Sequence, residues 1–259
     1  PNHPDTLVSR NNLALAYHAA GRINDAIPLH EGTLTGLTRI LGPNHPDTLV
    51  SRNNLALAYH AAGRINDAIP LHEGTLTGLT RILGPNHPDT LVSRNNLALA
   101  YQDAGRINDA IPLFEETLEA RTRILGPNHP DTLGSRNNLA NAYQEAGRLN
   151  EAIPLHEETF TALTRILGPN HPDTFGSRDN LALAYQDAGW FNEAIPLFEE
   201  TFTTREHLFG PDHPETLASR IDLASAYQKA GRLNDAIPLF KEILEAQARI
   251  LGTDHPDSD

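Results

Sequence analysis

Apolar residues return along this chain in a rhythm of threes and fours. Between residues 5 and 20 they stand at Leu7, Leu13, Ala14, Ala16, Tyr17 and Ala20, which together make one face of an amphipathic helix. Gly21 supplies a stop. Arg22 and Ile23 turn the chain, and Asn24 or Asp25 is placed to cap a second helix by accepting from its free N–H groups. The second helix runs to about Leu41, with a buried face expected at Ala26, Ile27, His30, Thr33, Leu34, Leu37, Ile40 and Leu41. Pro28 lies close enough to the cap for its missing N–H to cost little, which sets the start of this helix near residue 24 or 25.

The whole pattern then repeats. Residues 43–84 copy residues 1–42 letter for letter, and edited copies occupy 85–126, 127–168, 169–210 and 211–252. At each junction a glycine ends one helix pair, as Gly42 does before Pro43, and a second proline such as Pro46 suits the first turn of the next helix. A helix pair of this kind cannot bury both its faces alone, so each unit must lean on its neighbour and the stack itself is the core. The pattern predicts an all-α fold, a single α-solenoid of six helix-turn-helix units over residues 1–252, followed by an acidic C-terminal tail at 253–259.

Two features modulate the stack. Gly32, Gly36, Gly74 and Gly78 fall inside second helices, where each costs roughly 0.5 to 1 kcal/mol relative to alanine. The third unit has Glu116 and Ala120 there, so the first two units are expected to be the softer end. In the sixth unit no further amphipathic helix follows to cover Phe240 and Leu244, which are expected to be partly exposed or covered by another segment or a second molecule.

Composition narrows the function classes. The chain has 259 residues and no apolar run near the length a membrane helix needs, so no membrane association is expected. It has no cysteine, which excludes disulfides, thiolate metal sites and cysteine nucleophiles. A net charge of −13 argues against nucleic acid as a partner, because phosphate tracking needs clustered Lys and Arg. The first two units are neutral, the third and fourth carry −2 each, the fifth −5, the sixth −1 and the tail −3. The text opens on Pro1 at the head of a unit and contains no methionine, as expected of an excerpt from a longer protein; no targeting segment is visible.

The unit resembles a tetratricopeptide repeat. The residues that carry the likeness are Leu13, Ala14, Tyr17, Ala26 and the residue at 30, which is His30, His72 and His156 in three units and Phe114, Phe198 and Phe240 in the others. All six tyrosines, Tyr17, Tyr59, Tyr101, Tyr143, Tyr185 and Tyr227, hold one repeat position. Arginine stands where the family pattern prefers tryptophan, alanine replaces its glycine, and its late proline is missing. The repeat length and the LGPNHPDT text are similar to those of kinesin light chain and of arrays in bacterial signalling proteins. HEAT-type repeats share the length but not this residue pattern.

The resemblance implies a right-handed superhelix whose first helices line a concave groove. The implied groove includes the amide pairs Asn11 and Asn12, Asn53 and Asn54, Asn95 and Asn96, and Asn137 and Asn138, with Asn180, side chains able to hold a ligand backbone without reading its sequence. Alternatively, these amides bond neighbouring helices or face water. Selectivity is then expected from positions that vary, at Leu99, Gln102, Asp103, Asn141, Gln144, Glu145, Asp179, Gln186 and Asp187. Such a groove is apolar and neutral at its first two units and acidic from the third to the fifth, which suits a basic peptide. The lysines and arginines of the family's carboxylate clamps are not matched here; among the groove positions only Lys229, the sixth unit's counterpart of Asp103, Glu145 and Asp187, has that sign.

Histidines recur in the His-Pro turns at His3, His45, His87, His129, His171, His213 and His255, each near a carboxylate. Packed helices lie about 8 to 10 Å apart, while zinc draws its nitrogen ligands to about 2.0 to 2.1 Å, so these are read as turn residues and no metal or cofactor is expected. Ser, His and acidic residues recur as ladders and not as one convergent triad, and neither a phosphate loop nor an H-E-x-x-H pair is present, so no enzyme is expected. Trp190 reads either as a partner anchor or as a turn aromatic folded onto Phe191.

The expected function is a non-catalytic, cytoplasmic protein–protein interaction scaffold that binds a peptide, helix or loop of a partner in the groove. The alternatives are a homo-oligomer built by end-to-end stacking, and the sensor arm of a larger bacterial signalling NTPase.

Overall fold

The structure is a computed structural model that describes residues 3–253, and among these every regular element is a helix. In chain order they are α1 (Pro4–Ala19), α2 (Ile23–Leu41), α3 (Pro46–Ala61), α4 (Ile65–Leu83), α5 (Pro88–Asp103) and α6 (Ile107–Leu125). There follow α7 (Pro130–Glu145), α8 (Leu149–Leu167), α9 (Pro172–Asp187), α10 (Phe191–Phe209), α11 (Pro214–Lys229) and α12 (Leu233–Thr253). Of the acidic tail only Thr253 is described, at the end of α12; the rest of it, including His255, lies outside the described residues.

The chain divides into two compact units between Ala146 and Gly147, in the turn of the fourth helix pair. Within the first, each of α1 to α6 packs on the next helix in sequence; within the second, each of α8 to α11 does. This consecutive packing is that of a solenoid of six helix pairs.

The helix starts follow from the His-Pro turns. Each of His3, His45, His87, His129, His171 and His213 holds an N-cap position with extended backbone, and its ring Nδ1 accepts the N–H two residues on, at 3.2 to 3.4 Å. Proline fills the next position, where its missing N–H costs nothing. The first helices stop at a glycine with φ near 72°, as at Gly21, where Gly21 N–H bonds the His18 carbonyl and Arg22 N–H bonds that of Tyr17. This double closure needs a left-handed residue, hence glycine.

That closure moves the start of the second helix. It begins at Ile23 with Arg22 as N-cap, and neither Asn24 nor Asp25 caps it. The Arg22 carbonyl itself accepts from Asp25 and Ala26, and the Asp25 carboxylate turns back to Arg22 Nε at 2.8 Å. Pro28 therefore stands one turn inside the helix, on an exposed face, and removes the bond that the Asn24 carbonyl would accept.

Two alanines per unit, Ala14 and Ala26 and their copies, are shut off from solvent on the paired helices. Between units, Ile27 of α2 packs with Leu55 and Ala58 of α3, and Ile69 of α4 with Leu97 and Ala100 of α5. Ile40 and Leu41 are 44% and 39% exposed, contrary to the expected buried face. They fall in the last turn of a 19-residue helix whose partner has 16 residues. Phe240 and Leu244 are exposed, as expected of the last helix. Gly36 is more than a soft spot: a Cβ there would stand 2.6 Å from Leu7 Cδ2, so the helices of the first pair close over it.

Candidate protein-binding face

The first helices of successive pairs are laced side by side by their asparagines. Asn54 Nδ2 donates to Asn11 Oδ1 at 3.4 Å, Asn96 to Asn53 at 3.5 Å and Asn138 to Asn95 at 3.0 Å, all in the first compact unit. The second amide of each pair thus reaches back to the first amide of the unit before. Each bond uses one of two N–H groups on the donor, and the donor's own carbonyl is left for another partner. Asn11, Asn53, Asn54, Asn95, Asn96, Asn137, Asn138 and Asn180 are half-buried, and Asn12 is exposed.

A second row runs along the helix ends. His60 Nε2 meets Asp103 Oδ2 at 2.5 Å, and Gln102 Nε2 donates to Glu145 Oε2 at 2.7 Å. Asp103 and Glu145 in the first compact unit, and Asp187 in the second, are exposed. Leu99, Asn141 and Gln144 are half-buried, whereas Gln186 is buried and its Oε1 has no hydrogen-bond partner. Asp179 stands apart from the amide pattern. It accepts from Arg205 Nη2 at 3.0 Å, and burial pushes its carboxyl above the ordinary range, with Arg205 opposing and Asp222 reinforcing the shift.

Beneath this face lie two repeat-related hollows of about 200 and 170 Å³. The first is lined by Leu7, Val8, Asn11, Thr33, Leu37, Asp47, Val50 and Ser51, and the second by the residues one repeat later. At the corresponding place in the third unit an arginine occupies the space: Arg121 Nη1 donates to Ser135 Oγ at 2.8 Å and to the Asp131 carbonyl at 3.1 Å. In the fifth, Arg205 Nη1 donates to Ser219 Oγ at 2.7 Å, and its Nη2 lies 3.4 Å from Glu215 Oε2. No periodicity argument points to this serine row. The signal available in the sequence is the exchange of leucine at residues 37, 79 and 163 for arginine at 121 and 205.

Two further groups are placed by the structure. His30, His72 and His156 are buried where other units have phenylalanine; burial lowers all three rings, His72 and His156 to about 4. Trp190 stacks on Tyr185 with ring centroids 5.8 Å apart, in the role that arginine plays over tyrosine elsewhere, and not on Phe191. It is 47% exposed. Among the described residues no cluster of His, Asp and Glu is fit to hold a metal ion, and no helix is long and apolar enough to cross a membrane.

Comparisons with known proteins agree with this geometry. Tetratricopeptide repeat models match residues 5–77, 54–123, 92–162, 131–202 and 177–249, which together run through nearly the whole chain. A kinesin light chain-like protein of Podosopora anserina, built of nearly identical TPR-like repeats, is 33% identical with a TM-score of 0.73, over 80% of this chain and 98% of that one. BtubC (BKLC) from P. vanneervenii is 19% identical with a TM-score of 0.74, over 92% and 95% of the two chains. The STAND signal transduction ATPase PH0952 of Pyrococcus horikoshii, which carries a tetratricopeptide repeat sensor, is 16% identical with a TM-score of 0.70; the match covers 95% of this chain and 38% of that one. The last two likenesses speak to the fold alone. No curated protein sequence matches the chain. With its helix pairs, its repeat text and these matches, the chain belongs to the tetratricopeptide repeat family, whose fold generally mediates protein–protein interaction.

Proposed function

We propose that this protein is a non-catalytic interaction scaffold whose first-helix face holds a peptide, helix or loop of a basic partner protein. The observation that carries the reading is the half-buried amide row flanked by the exposed carboxylates Asp103 and Glu145 in the first compact unit, with Asp187 exposed in the second. Amides with spare donors and acceptors hold a backbone, and the carboxylates steer and select by charge. End-to-end stacking of copies has less support. The glutamate that receives the next unit's tyrosine is replaced by Lys241 in the sixth unit, and the amide that receives the next asparagine by Ile221.

A random peptide display library panned on the immobilised chain tests this. The enriched sequences are expected to be rich in Lys and Arg, and the Asp103→Asn, Glu145→Gln, Asp187→Asn triple variant is expected to lose that bias. An acidic or charge-neutral set from the wild type overturns the reading.

A further inference from the structure

We propose that the two hollows of the first compact unit are arginine pockets, each taking a guanidinium side chain of the ligand. The proposal rests on the reading that a basic peptide lies on the first-helix face.

The template is in the chain itself. Arg121 and Arg205 each extend from a second helix into the next unit, donate to a buried serine hydroxyl and meet a first-turn carbonyl or carboxylate. Arg205 also meets Asp179, which holds the position of Asn11 and Asn53. In the hollows the receiving groups are all present, with Ser51 and Asp47 beside Asn11 in one and Ser93 and Asp89 beside Asn53 in the other. Only the guanidinium is replaced, by Leu37 and Leu79, which leave the space open.

The serines supply an independent sign. Ser51 and Ser93 are each 2% exposed, and neither Oγ has a hydrogen-bond partner, whereas Ser135 and Ser219 each accept from an arginine and donate to the carbonyl four residues back in their own helix. A buried hydroxyl without a partner is costly, so an incoming donor is favoured beyond its own bond. The hollows are each several times the roughly 30 Å³ share of one water. Val8, Val50 and Val92, all exposed, stand along their walls and suit the methylene stem of a long cation. Arginine fits better than lysine, because its planar fork reaches two acceptors at once and is more weakly hydrated than an ammonium.

The repeat also sets the ligand's spacing. The two hollows are lined by equivalent residues one repeat apart, so a peptide that carries arginine at regular intervals offers a guanidinium to each.

The test uses labelled peptides of repeated Arg-Ala-Ala and Lys-Ala-Ala, titrated with the intact chain and read by fluorescence anisotropy. The wild type is expected to prefer the arginine peptide by about tenfold, the scale of one charge-assisted hydrogen bond. The Leu37→Arg, Leu79→Arg variant fills both hollows from within, as the third and fifth units do. Its added charge weakens both peptides alike, so the arginine-to-lysine ratio is expected to fall to about one. The Ser51→Ala, Ser93→Ala variant is expected to lower the same ratio and carries the test if the leucine variant does not fold. Equal binding of the two peptides by wild type, or an unchanged ratio in a folded variant, overturns the pockets and leaves the basic-ligand reading standing. Binding of neither peptide overturns both.

Discussion

Tyr101 of α5 donates its hydroxyl to Glu73 Oε1 of α4, 2.6 Å away across the junction between two repeats. The same bond joins Tyr59 to Glu31 and Tyr143 to Glu115 in the first compact unit, and Tyr185 to Glu157 and Tyr227 to Glu199 in the second. Burial and the glutamate together raise the Tyr101 hydroxyl above its usual range, so it stays protonated and remains a donor. On its other side the ring carries Arg106, 4.2 Å from the ring centroid, which in turn meets Asp109. The constant spacing of tyrosine in this chain is thus the spacing of an inter-repeat seam.

Removing one stitch of that seam should be felt. Tyr101→Phe is expected to destabilise the chain by about 1 kcal/mol, because the bond is lost while the exposed Glu73 rehydrates. Tyr17→Phe, at a tyrosine that follows no repeat glutamate in this chain, is expected to cost a few tenths of a kcal/mol at most. Urea unfolding of the two variants beside wild type decides; equal losses would mean that the seam contributes nothing.

The buried histidines give the stability a pH dependence. His72 and His156 have folded values of about 4 against an ordinary 6.5, so the native state holds fewer protons than the unfolded chain between those limits. Stability is then intact above about pH 6.5 and falls as the pH drops toward 4, by up to about 3 kcal/mol for each ring. For His72 burial is the main cause, and the nearby His60 adds to it. The His72→Phe, His156→Phe variant copies what Phe114 and Phe198 already do at this position. Its urea midpoint is expected to move less than that of wild type between pH 7 and 5, and an unchanged pH slope would show that the rings are not the source.

Gly74 is a place where the chain can be improved. It lies inside α4, and a Cβ built there meets Arg52 Nη1 at 3.5 Å, an ordinary contact with a flexible side chain. Gly74→Ala is expected to stabilise by roughly 0.5 to 1 kcal/mol by restricting the unfolded chain. Gly36→Ala lacks that freedom, because Leu7 must move first. Thermal melts should therefore rank Gly74→Ala above both wild type and Gly36→Ala.

Period, element type and most boundaries are written in the residues themselves. The His-Pro turn, the glycine stop and the apolar rhythm each act within about four residues, the reach of a helical hydrogen bond, so the helix pairs of this family are legible unit by unit. The start of the second helix is an instructive exception: Asp25 looks like a cap until the glycine closure brings Arg22 to that place and claims its carboxylate. What the units do to one another is decided elsewhere. Leu13 and Leu55 have identical sequence surroundings, yet one is 47% exposed and the other 4%, because only Leu55 has Ile27 of a preceding unit against it. The asparagines bond partners 43 residues away and the tyrosines partners 28 away. A leucine-to-arginine exchange reads as a surface change in the sequence, but in the fold it fills a hollow and satisfies a buried serine. Burial and polar pairing are properties of neighbours that only tertiary packing supplies, and in a chain of near copies that packing is what makes one copy differ from the next.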